Sequence, residues 1–230
     1  MKGHRQTRQA WMQRRTMRRV AGAAMALLSG LGAERTARAE GVTAEVPIAP
    51  PPINVDYLQF GVAINGAFAL NPGPTCPRDA KAPCVLGSGG GLTARAGYRS
   101  RGPWYIGGAY GFSKIDTSGL MRMGVLQSLS GELRYLVGLG QRTEPYLLGT
   151  LGGVALGNEW GIEAAGAQLG LGAGFEVQLA RTTVVGLSLA YRPFLLFGWT
   201  DRAGQDRPTG VAHYLGLDVV MEAREPLRTH

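Results

Sequence analysis

Nine charged residues share the same two-residue period as glycines and other small residues, and this spacing could bring them together in one ion-pairing network. Arg95 and Arg99 flank Gly97, and Glu132 lies two positions before Arg134, so each pair would share one face of an extended strand. A buried charge without a partner is costly, and we therefore expect opposite charges in this set to pair. The predicted network comprises Arg95, Arg99, Glu132, Arg134, Glu176, Arg192, Asp218, Glu222 and Arg224.

Cys76 and Cys84 are the two cysteines of the chain, and they lie in a proline-rich stretch between two predicted strands. In an exported protein, an even pair this close in sequence predicts a disulfide. Two thiols without a neighbouring histidine supply too few ligands for a metal site. We expect a stiff loop that resists proteolysis, with a recognition surface as the alternative role.

The sequence does not predict an enzyme. No serine in a recognisable motif accompanies His213, so a nucleophile with its base is not indicated, and we interpret this histidine as structural. The glycines around Ser88 do not precede a predicted helix, which argues against a phosphate-binding loop. We therefore expect no catalytic residue, no metal and no cofactor.

Apolar residues that recur at every second position predict β-strands, and these strands would carry the charged residues. In the stretch 168–179 every odd position is apolar and every even position is glycine or polar, which is typical of a β-strand with one apolar face. The glycine-rich face with isolated charges is typical of the inside of a closed barrel. We interpret the apolar face as facing lipid and the other as facing the lumen.

Eight segments show this alternation, and we expect all of them to reach the length that a tilted strand needs to cross a bilayer. In the fifth, Leu147 and Leu151 interrupt the face of small residues that we assign to the lumen. The pattern predicts an all-β fold, namely an eight-stranded antiparallel up-and-down transmembrane β-barrel. The segments are 57–70, 91–100, 104–113, 125–139, 145–157, 168–179, 185–192 and 215–224.

The connections between these segments alternate in length. Those at 100–102, 140–143 and 180–182 are short, whereas those at 71–90 and 198–212 are long. Short periplasmic turns that alternate with longer outer loops are typical of outer-membrane barrels. The connection at 114–120 is intermediate, and the brief one at 158–161 departs from the pattern.

Aromatic residues fall near the predicted strand ends, where rings favour the level of the lipid headgroups. We interpret them as the two aromatic belts of a membrane barrel, although aromatic residues also favour strands in general. The residues are Trp104, Tyr105, Tyr146, Tyr191, Phe194, Phe197, Trp199 and Tyr214.

The segment 1–39 is interpreted as an export signal, because four arginines between 14 and 19 precede an apolar run and Ala37-Arg38-Ala39 forms a cleavage site. This segment holds nine of the 24 basic residues and one of the 16 acidic residues, which leaves 15 of each. The mature chain is therefore neutral, and a nucleic-acid partner is not expected. We assign 40–54 to a proline-rich periplasmic linker, 55–224 to the barrel and 225–230 to a C-terminal tail.

On these strands and loops, the chain resembles the small eight-stranded outer-membrane β-barrels of Gram-negative bacteria, which include OmpA-like transmembrane domains and porin-like proteins. The resemblance covers 55–224 and rests on the pattern rather than on a motif. It implies a location in the cell outer membrane, surrounding membrane lipid and lipopolysaccharide, insertion by the barrel-insertion machinery, and a monomer.

The resulting interpretation is an integral outer-membrane barrel with a structural or surface-interaction role and a lumen plugged by charged pairs. A narrow gated pore is one alternative, in which Glu132, Arg134, Glu176 or Arg192 would change partners. A soluble, lipocalin-like binder of a small ligand is another, and it would need an apolar cavity and a polar exterior.

Overall fold

The computed structural model describes residues 55–76, 84–201 and 204–227. The predicted signal peptide, the proline-rich linker and the last residues of the predicted tail lie outside the described residues, so these assignments stay predictions.

Eight long strands form a closed antiparallel barrel in which each strand pairs with its neighbours in sequence, and the first strand closes the sheet by pairing with the last. This confirms the predicted fold class. A 3₁₀ turn at Gly73–Thr75 and a short hairpin of β8 (Trp199–Thr200) and β9 (Asp206–Arg207) lie in the loops. The barrel strands are β1 (Tyr57–Asn71), β2 (Gly89–Arg99), β3 (Trp104–Ile115), β4 (Gly124–Leu136), β5 (Thr143–Asn158), β6 (Gly161–Ala180), β7 (Thr183–Leu196) and β10 (Gly210–Pro226).

Successive side chains along each strand point alternately to the outer surface and to the lumen surface of the barrel wall. Ile64 is 67% exposed on the outer surface, whereas its neighbour Ala63 is 1% exposed on the lumen side. Leu171 is 63% exposed, and Gln168 on the opposite face of the same strand is 7% exposed. The apolar residues thus lie outside and the polar ones inside, which is the reverse of a soluble barrel with an apolar cavity. Among the described residues no helix is long and apolar enough to cross a membrane.

The two ends of the barrel differ. At one end, termed the turn end, β2 and β3, β4 and β5, and β6 and β7 are joined by short connections, and the N-terminus of β1 lies beside the C-terminus of β10. The other end, termed the loop end, carries the longer connections that follow β1, β3 and β7. Only Glu159 and Trp160 join β5 to β6, and Glu159 adopts the left-handed conformation (φ 57°) that a tight turn requires.

The structure corrects the assignment of faces in β5. Leu147 and Leu151 point outward with 59% and 69% exposure, whereas Tyr146 and Leu148 point into the lumen and are buried. The prediction was wrong because β5 carries large apolar side chains on both faces, so size alone did not identify the lumen side. The lumen accepts the Tyr146 ring because Gly174 on the neighbouring strand leaves room for it.

The predicted aromatic belts are also only partly correct. Trp104, Tyr191 and Phe197 are exposed on the outer surface. Tyr105, Tyr146, Phe194 and Tyr214 are at most 4% exposed and point into the lumen. Proximity to a strand end was the wrong criterion, because the position within the two-residue period decides which surface a ring occupies.

Candidate functional site: a charged layer inside the barrel

The structure places all nine charged residues of the predicted network on the lumen side of the barrel wall. They come from β2, β4, β6, β7 and β10, so the pairs form across the lumen as well as between neighbouring strands. Glu144 on β5 is a tenth member, which the alternation pattern did not indicate. We call these ten residues the charged layer: Arg95, Arg99, Glu132, Arg134, Glu144, Glu176, Arg192, Asp218, Glu222 and Arg224.

Near the turn end, two arginines share two carboxylates. Arg99 forms ion pairs with both Glu144 and Glu176, and Arg224 contacts the same two acids, with its Nη2 3.7 Å from Glu144 Oε2. Arg224 Nε also donates to Gln59 Oε1 over 3.1 Å, and the Gln59 amide donates to Glu222. These side chains are almost completely buried, so the network occupies this part of the lumen.

Arg134 lies at the centre of the charged layer. Its two terminal nitrogens donate to both oxygens of Glu222 at 2.9 and 3.1 Å, and Nη2 also donates to Glu132 at 3.2 Å. The guanidinium carbon lies 4.4 Å from the ring centroid of Tyr105 and 5.3 Å from that of Tyr146. Bidentate pairing and contact with aromatic faces are the interactions that favour arginine over lysine at a buried site.

Lumen glycines make room for the two tyrosines. A Cβ added at Gly107 would lie 2.7 Å from Tyr105 Cζ and 2.6 Å from the carbonyl oxygen of Ala96, and one at Gly174 would lie 2.6 Å from Tyr146 Cζ. These distances are shorter than a carbon atom tolerates. The glycine-rich face therefore serves close packing inside the lumen rather than backbone flexibility.

On the loop side of the layer, Asp218 is shared by two arginines. Arg95 Nη2 lies 3.4 Å from Asp218 Oδ2 and 3.7 Å from Glu132 Oε1, and Arg192 pairs with the same oxygen of Asp218. Ser188 Oγ lies 3.4 Å from this oxygen as well. Glu132 therefore links Arg95 to Arg134, and the layer is continuous from the loop side to the turn side.

Glu144 completes the charge balance of the layer. The nine predicted residues include five arginines and four carboxylates, and Glu144 supplies the fifth carboxylate. It was missed because the predicted turn ended at 143 and the predicted strand began at 145, so Glu144 belonged to neither, whereas β5 begins at Thr143. The predicted set carries one more positive than negative charge, and this imbalance indicated that a further carboxylate lies in the lumen.

Buried apolar residues pack together at the loop end of the lumen, and we call them the loop-end cap. Val85 and Leu86 are at most 1% exposed and pack in one cluster with Phe194, Leu196 and Tyr214 of the barrel wall. The Tyr214 hydroxyl donates to the carbonyl of Gly87 over 3.1 Å. The chain segment after β1 therefore folds into the mouth of the barrel.

Cys76 and Cys84 are joined by a disulfide directly before this cap. Arg207 Nη1 in the β8–β9 hairpin donates to the carbonyl of Thr75 over 3.1 Å, and its Nε donates to Asp201 over 2.9 Å. Asp201 and Arg207 are buried, and sequence alternation did not indicate them because they lie in a loop. Through this hydrogen bond to Thr75, the β8–β9 hairpin holds in place the segment that carries the disulfide.

His213 lies on the outer surface of β10, beside the Tyr191 ring of β7, and its Nδ1 forms a 2.5 Å hydrogen bond with the Tyr191 hydroxyl. At the turn end, the backbone N–H of Arg101 donates to Asp56 over 2.7 Å, and this hydrogen bond lowers the pKa of the Asp56 carboxyl. Among the described residues, no group of three or more His, Cys, Asp or Glu side chains is placed to hold a metal ion.

Comparisons with known proteins identify the fold. No protein-family model matches the chain, and no curated protein matches it. The structure of the outer membrane protein OprG from Pseudomonas aeruginosa matches with a TM-score of 0.52 and 12% sequence identity, over 77% of this chain and 97% of OprG.

Two further structures match less closely. Neisserial surface protein A matches with a TM-score of 0.45 and 18% identity, over 73% of this chain and 96% of that protein. Ail, the attachment invasion locus protein of Yersinia pestis, matches with a TM-score of 0.40 and 13% identity, over 75% of this chain and 99% of Ail. From its closed eight-stranded antiparallel sheet and its similarity to OprG, we conclude that this chain has the fold of the small outer-membrane β-barrels.

Proposed function

We propose that this chain is an integral outer-membrane β-barrel that acts through its structure or its surface, and that the charged layer closes its lumen to solutes. One observation carries the proposal: five arginines and five carboxylates pair across the lumen. Arg134 and Glu222, at the centre, have side chains only 2% and 1% exposed.

Energetics support a closed lumen. The interior of an eight-stranded barrel is just wide enough for side chains to fill it. Removing one partner from a buried ion pair typically costs about 3–5 kcal/mol, because the other charge is left uncompensated. A continuous path past Arg134 would require several such contacts to break together. The loop-end cap adds a second, apolar barrier.

The outer surface supports a membrane location. Exposed apolar residues cover the middle of the barrel wall, and the closed sheet satisfies the backbone hydrogen bonds that lipid cannot satisfy. We place the protein in the outer membrane of a Gram-negative bacterium, as a monomer in contact with membrane lipid and lipopolysaccharide, and inserted by the barrel-insertion machinery. The neutral mature chain gives no reason to expect a nucleic-acid partner.

A catalytic role is not part of the proposal. A hydrolase or acyltransferase needs a nucleophile within reach of a base. The described histidine, His213, is bonded to Tyr191 on the outer surface of the barrel wall, on the side that we assign to lipid.

Conductance recordings in planar lipid bilayers test the closed lumen. We expect the folded wild-type protein to produce no steady current steps. The matched variant is the double substitution Arg134→Ala and Glu222→Ala, which removes the central pair together and should produce small current steps if the barrel still folds. Steady steps from the wild-type protein would contradict the proposal and would favour the narrow gated pore.

A further inference from the structure

A recess of about 280 Å³ lies on the outer surface of the barrel wall, where β3, β4 and β5 adjoin. The outward residues that line it are Tyr110 of β3, Gln127 and Leu129 of β4, and Gly153 and Ala155 of β5. Leu129 pairs with Tyr110 on one side and with Gly153 on the other, and Gln127 pairs with Ala155. Because the two β5 residues have little or no side chain, they form the floor of the recess beside Leu129, which is 67% exposed.

The Gln127 amide gives this recess an unused hydrogen-bond donor. Gln127 alternates with Leu129 on the outer face of β4, and its Oε1 accepts a 3.0 Å hydrogen bond from the Tyr110 hydroxyl. Its Nε2 donates to no other residue in the described part of the chain. Hydrocarbon offers no acceptor, so an amide N–H on a lipid-facing wall is costly unless an occupant of the recess supplies one.

A cation lies beside the recess on its loop-end side. Lys114 of β3 is exposed and pairs with Val125, the outward residue that precedes Gln127 on β4. Among the residues that the structure describes, Lys114 has no ion pair. Asp116, two positions further along, already accepts a 2.9 Å hydrogen bond from the backbone N–H of Ser118. Towards the loop end, the outer surface therefore presents an apolar recess, then an amide donor, then a cation.

We infer that this surface binds one molecule of lipopolysaccharide. An acyl chain occupies the recess, an acyl carbonyl oxygen accepts a hydrogen bond from Gln127 Nε2, and a phosphate lies beside Lys114. These three groups follow one another in the same order in an acylated, phosphorylated glycolipid. A lysine is a suitable partner for a phosphate, as a point charge with three donors.

The depth of the recess selects the lipid of the outer leaflet. Gln127 is the fourth of the 13 residues of β4, counted from the loop end. The inference rests on the proposed function, which places the barrel in the outer membrane, with its longer loops on the outside. A phospholipid of the inner leaflet carries the same three groups, but it would meet the opposite half of the barrel wall.

Native mass spectrometry of the folded barrel, released from detergent, tests the inference. The probes are lipid A, which is the acylated and phosphorylated part of lipopolysaccharide, and phosphatidylglycerol. We expect saturable binding of one lipid A molecule per barrel and weaker binding of phosphatidylglycerol. Equal or tighter binding of phosphatidylglycerol would overturn the assignment to lipopolysaccharide, and so would a dimer without lipid that loses lipid A binding.

Two glycines on β5 provide a matched pair of variants. Gly153→Leu fills the recess and should abolish saturable binding of lipid A. An added Cβ at Gly153 meets its nearest atom at 3.7 Å, so the strand can accept the side chain. Gly149→Leu, on the same outer face, meets no atom within 4 Å and lies outside the recess, so it should bind lipid A like the wild type. Equal binding by the two variants would overturn the inference.

The amide and the cation are tested separately. Gln127→Leu keeps an outward apolar side chain but removes the donor, so the dissociation constant for lipid A should rise about 2- to 10-fold. Lys114→Gln should weaken the binding of lipid A but not that of dephosphorylated lipid A. Unchanged binding of lipid A by Gln127→Leu would overturn the role of the amide, and unchanged binding by Lys114→Gln would overturn the role of the cation.

A parallel measurement separates this inference from the proposed function. The same proteins are fractionated with the cell envelope and compared, boiled and unboiled, for mobility in SDS. A wild-type chain that neither enters the outer membrane nor changes mobility on heating would contradict the proposed function, and the lipid site with it. A folded barrel in the outer membrane that shows no saturable binding of lipid A would overturn the lipid site alone.

Discussion

At the scale of single residues, the lumen is packed with buried arginines, and each of them pairs with at least one carboxylate from another strand. Arg134 links β4 to β10 through Glu222 and lies between the rings of Tyr105 and Tyr146. Such a site tolerates neither the loss of the charge nor a change in the shape of the group that carries it.

Replacing Arg134 with methionine should strongly destabilise the barrel. Methionine approximates the length of the arginine stem, but it leaves Glu222 buried without its main partner, which we expect to cost about 3–5 kcal/mol of unfolding free energy. Urea unfolding in lipid vesicles, followed by tryptophan fluorescence, measures this change.

The exposed Arg142 at the turn end offers a matched control. Arg142→Met should change the unfolding free energy by no more than about 0.5 kcal/mol, because surface substitutions rarely do more. A double variant, Arg134→Met with Glu222→Met, should be more stable than Arg134→Met alone, since it removes the uncompensated carboxylate. Equal stability of the Arg134 and Arg142 variants would contradict the central role of Arg134.

Gly107→Ala should also destabilise the fold, for steric reasons. The new methyl group would lie within 2.7 Å of Tyr105 Cζ and of the Ala96 carbonyl oxygen, so the tyrosine or the backbone must move. Overpacking of this kind typically costs about 1–3 kcal/mol. Gly149→Ala is the control, because a Cβ there meets no atom within 4 Å on the outer surface. The same urea titration compares them, and a loss of stability at Gly149 equal to that at Gly107 would contradict the packing argument.

At the scale of the elements, the sequence predicted the strands better than it predicted what fills the lumen. Strict alternation identified β6 and both of its faces, because small residues occupy one face and large apolar residues the other. β5 lacks this contrast, so its faces were assigned in reverse, and Glu144 fell between the predicted turn at 140–143 and the predicted strand at 145–157. The missing information was three-dimensional: Tyr146 fits the lumen because Gly174 on β6 makes room for it.

In the loops, too, the sequence pattern predicted local contacts but not contacts between distant parts of the chain. Spacing alone predicted that Cys76 and Cys84 would lie close enough to pair, because the pairing is local. It did not predict that Val85 and Leu86 would enter the mouth of the barrel, since their apolar partners, such as Phe194 and Tyr214, lie more than a hundred positions away in the sequence. Contacts this distant in sequence depend on the closure of the barrel.

Reduction of the disulfide should expose the first loop to proteolysis without unfolding the barrel. Arg78 and Lys81 are trypsin sites within the ring that Cys76 and Cys84 close. We expect trypsin to cut the loop faster in reduced protein than in oxidised protein, while the unboiled barrel keeps its mobility in SDS. The double variant Cys76→Ser and Cys84→Ser should behave like reduced wild-type protein under both redox conditions. Equal cleavage rates before and after reduction would show that the loop-end cap, and not the disulfide, protects the loop.

At the scale of the whole molecule, the barrel is organised from the inside outward: paired charges at the centre, glycines that allow close packing, and a continuous apolar exterior. A membrane protein and a soluble protein with this fold would differ in what the exterior contacts. In water, exposed leucines would be a liability that charged substitutions relieve. In lipid, the same substitutions are destabilising.

Leu171→Arg therefore distinguishes the two environments. Leu171 lies near the middle of β6 and is 63% exposed on the outer surface. In a bilayer, an arginine near the midplane of a barrel strand costs about 2–4 kcal/mol, whereas near the interface the cost falls to about 0–1 kcal/mol. We expect Leu171→Arg to lower the unfolding free energy in lipid vesicles by the larger amount, and Thr182→Arg, in the exposed turn between β6 and β7, by the smaller amount. If Leu171→Arg leaves stability unchanged, the apolar exterior does not face lipid, and the membrane assignment fails even though the fold stands.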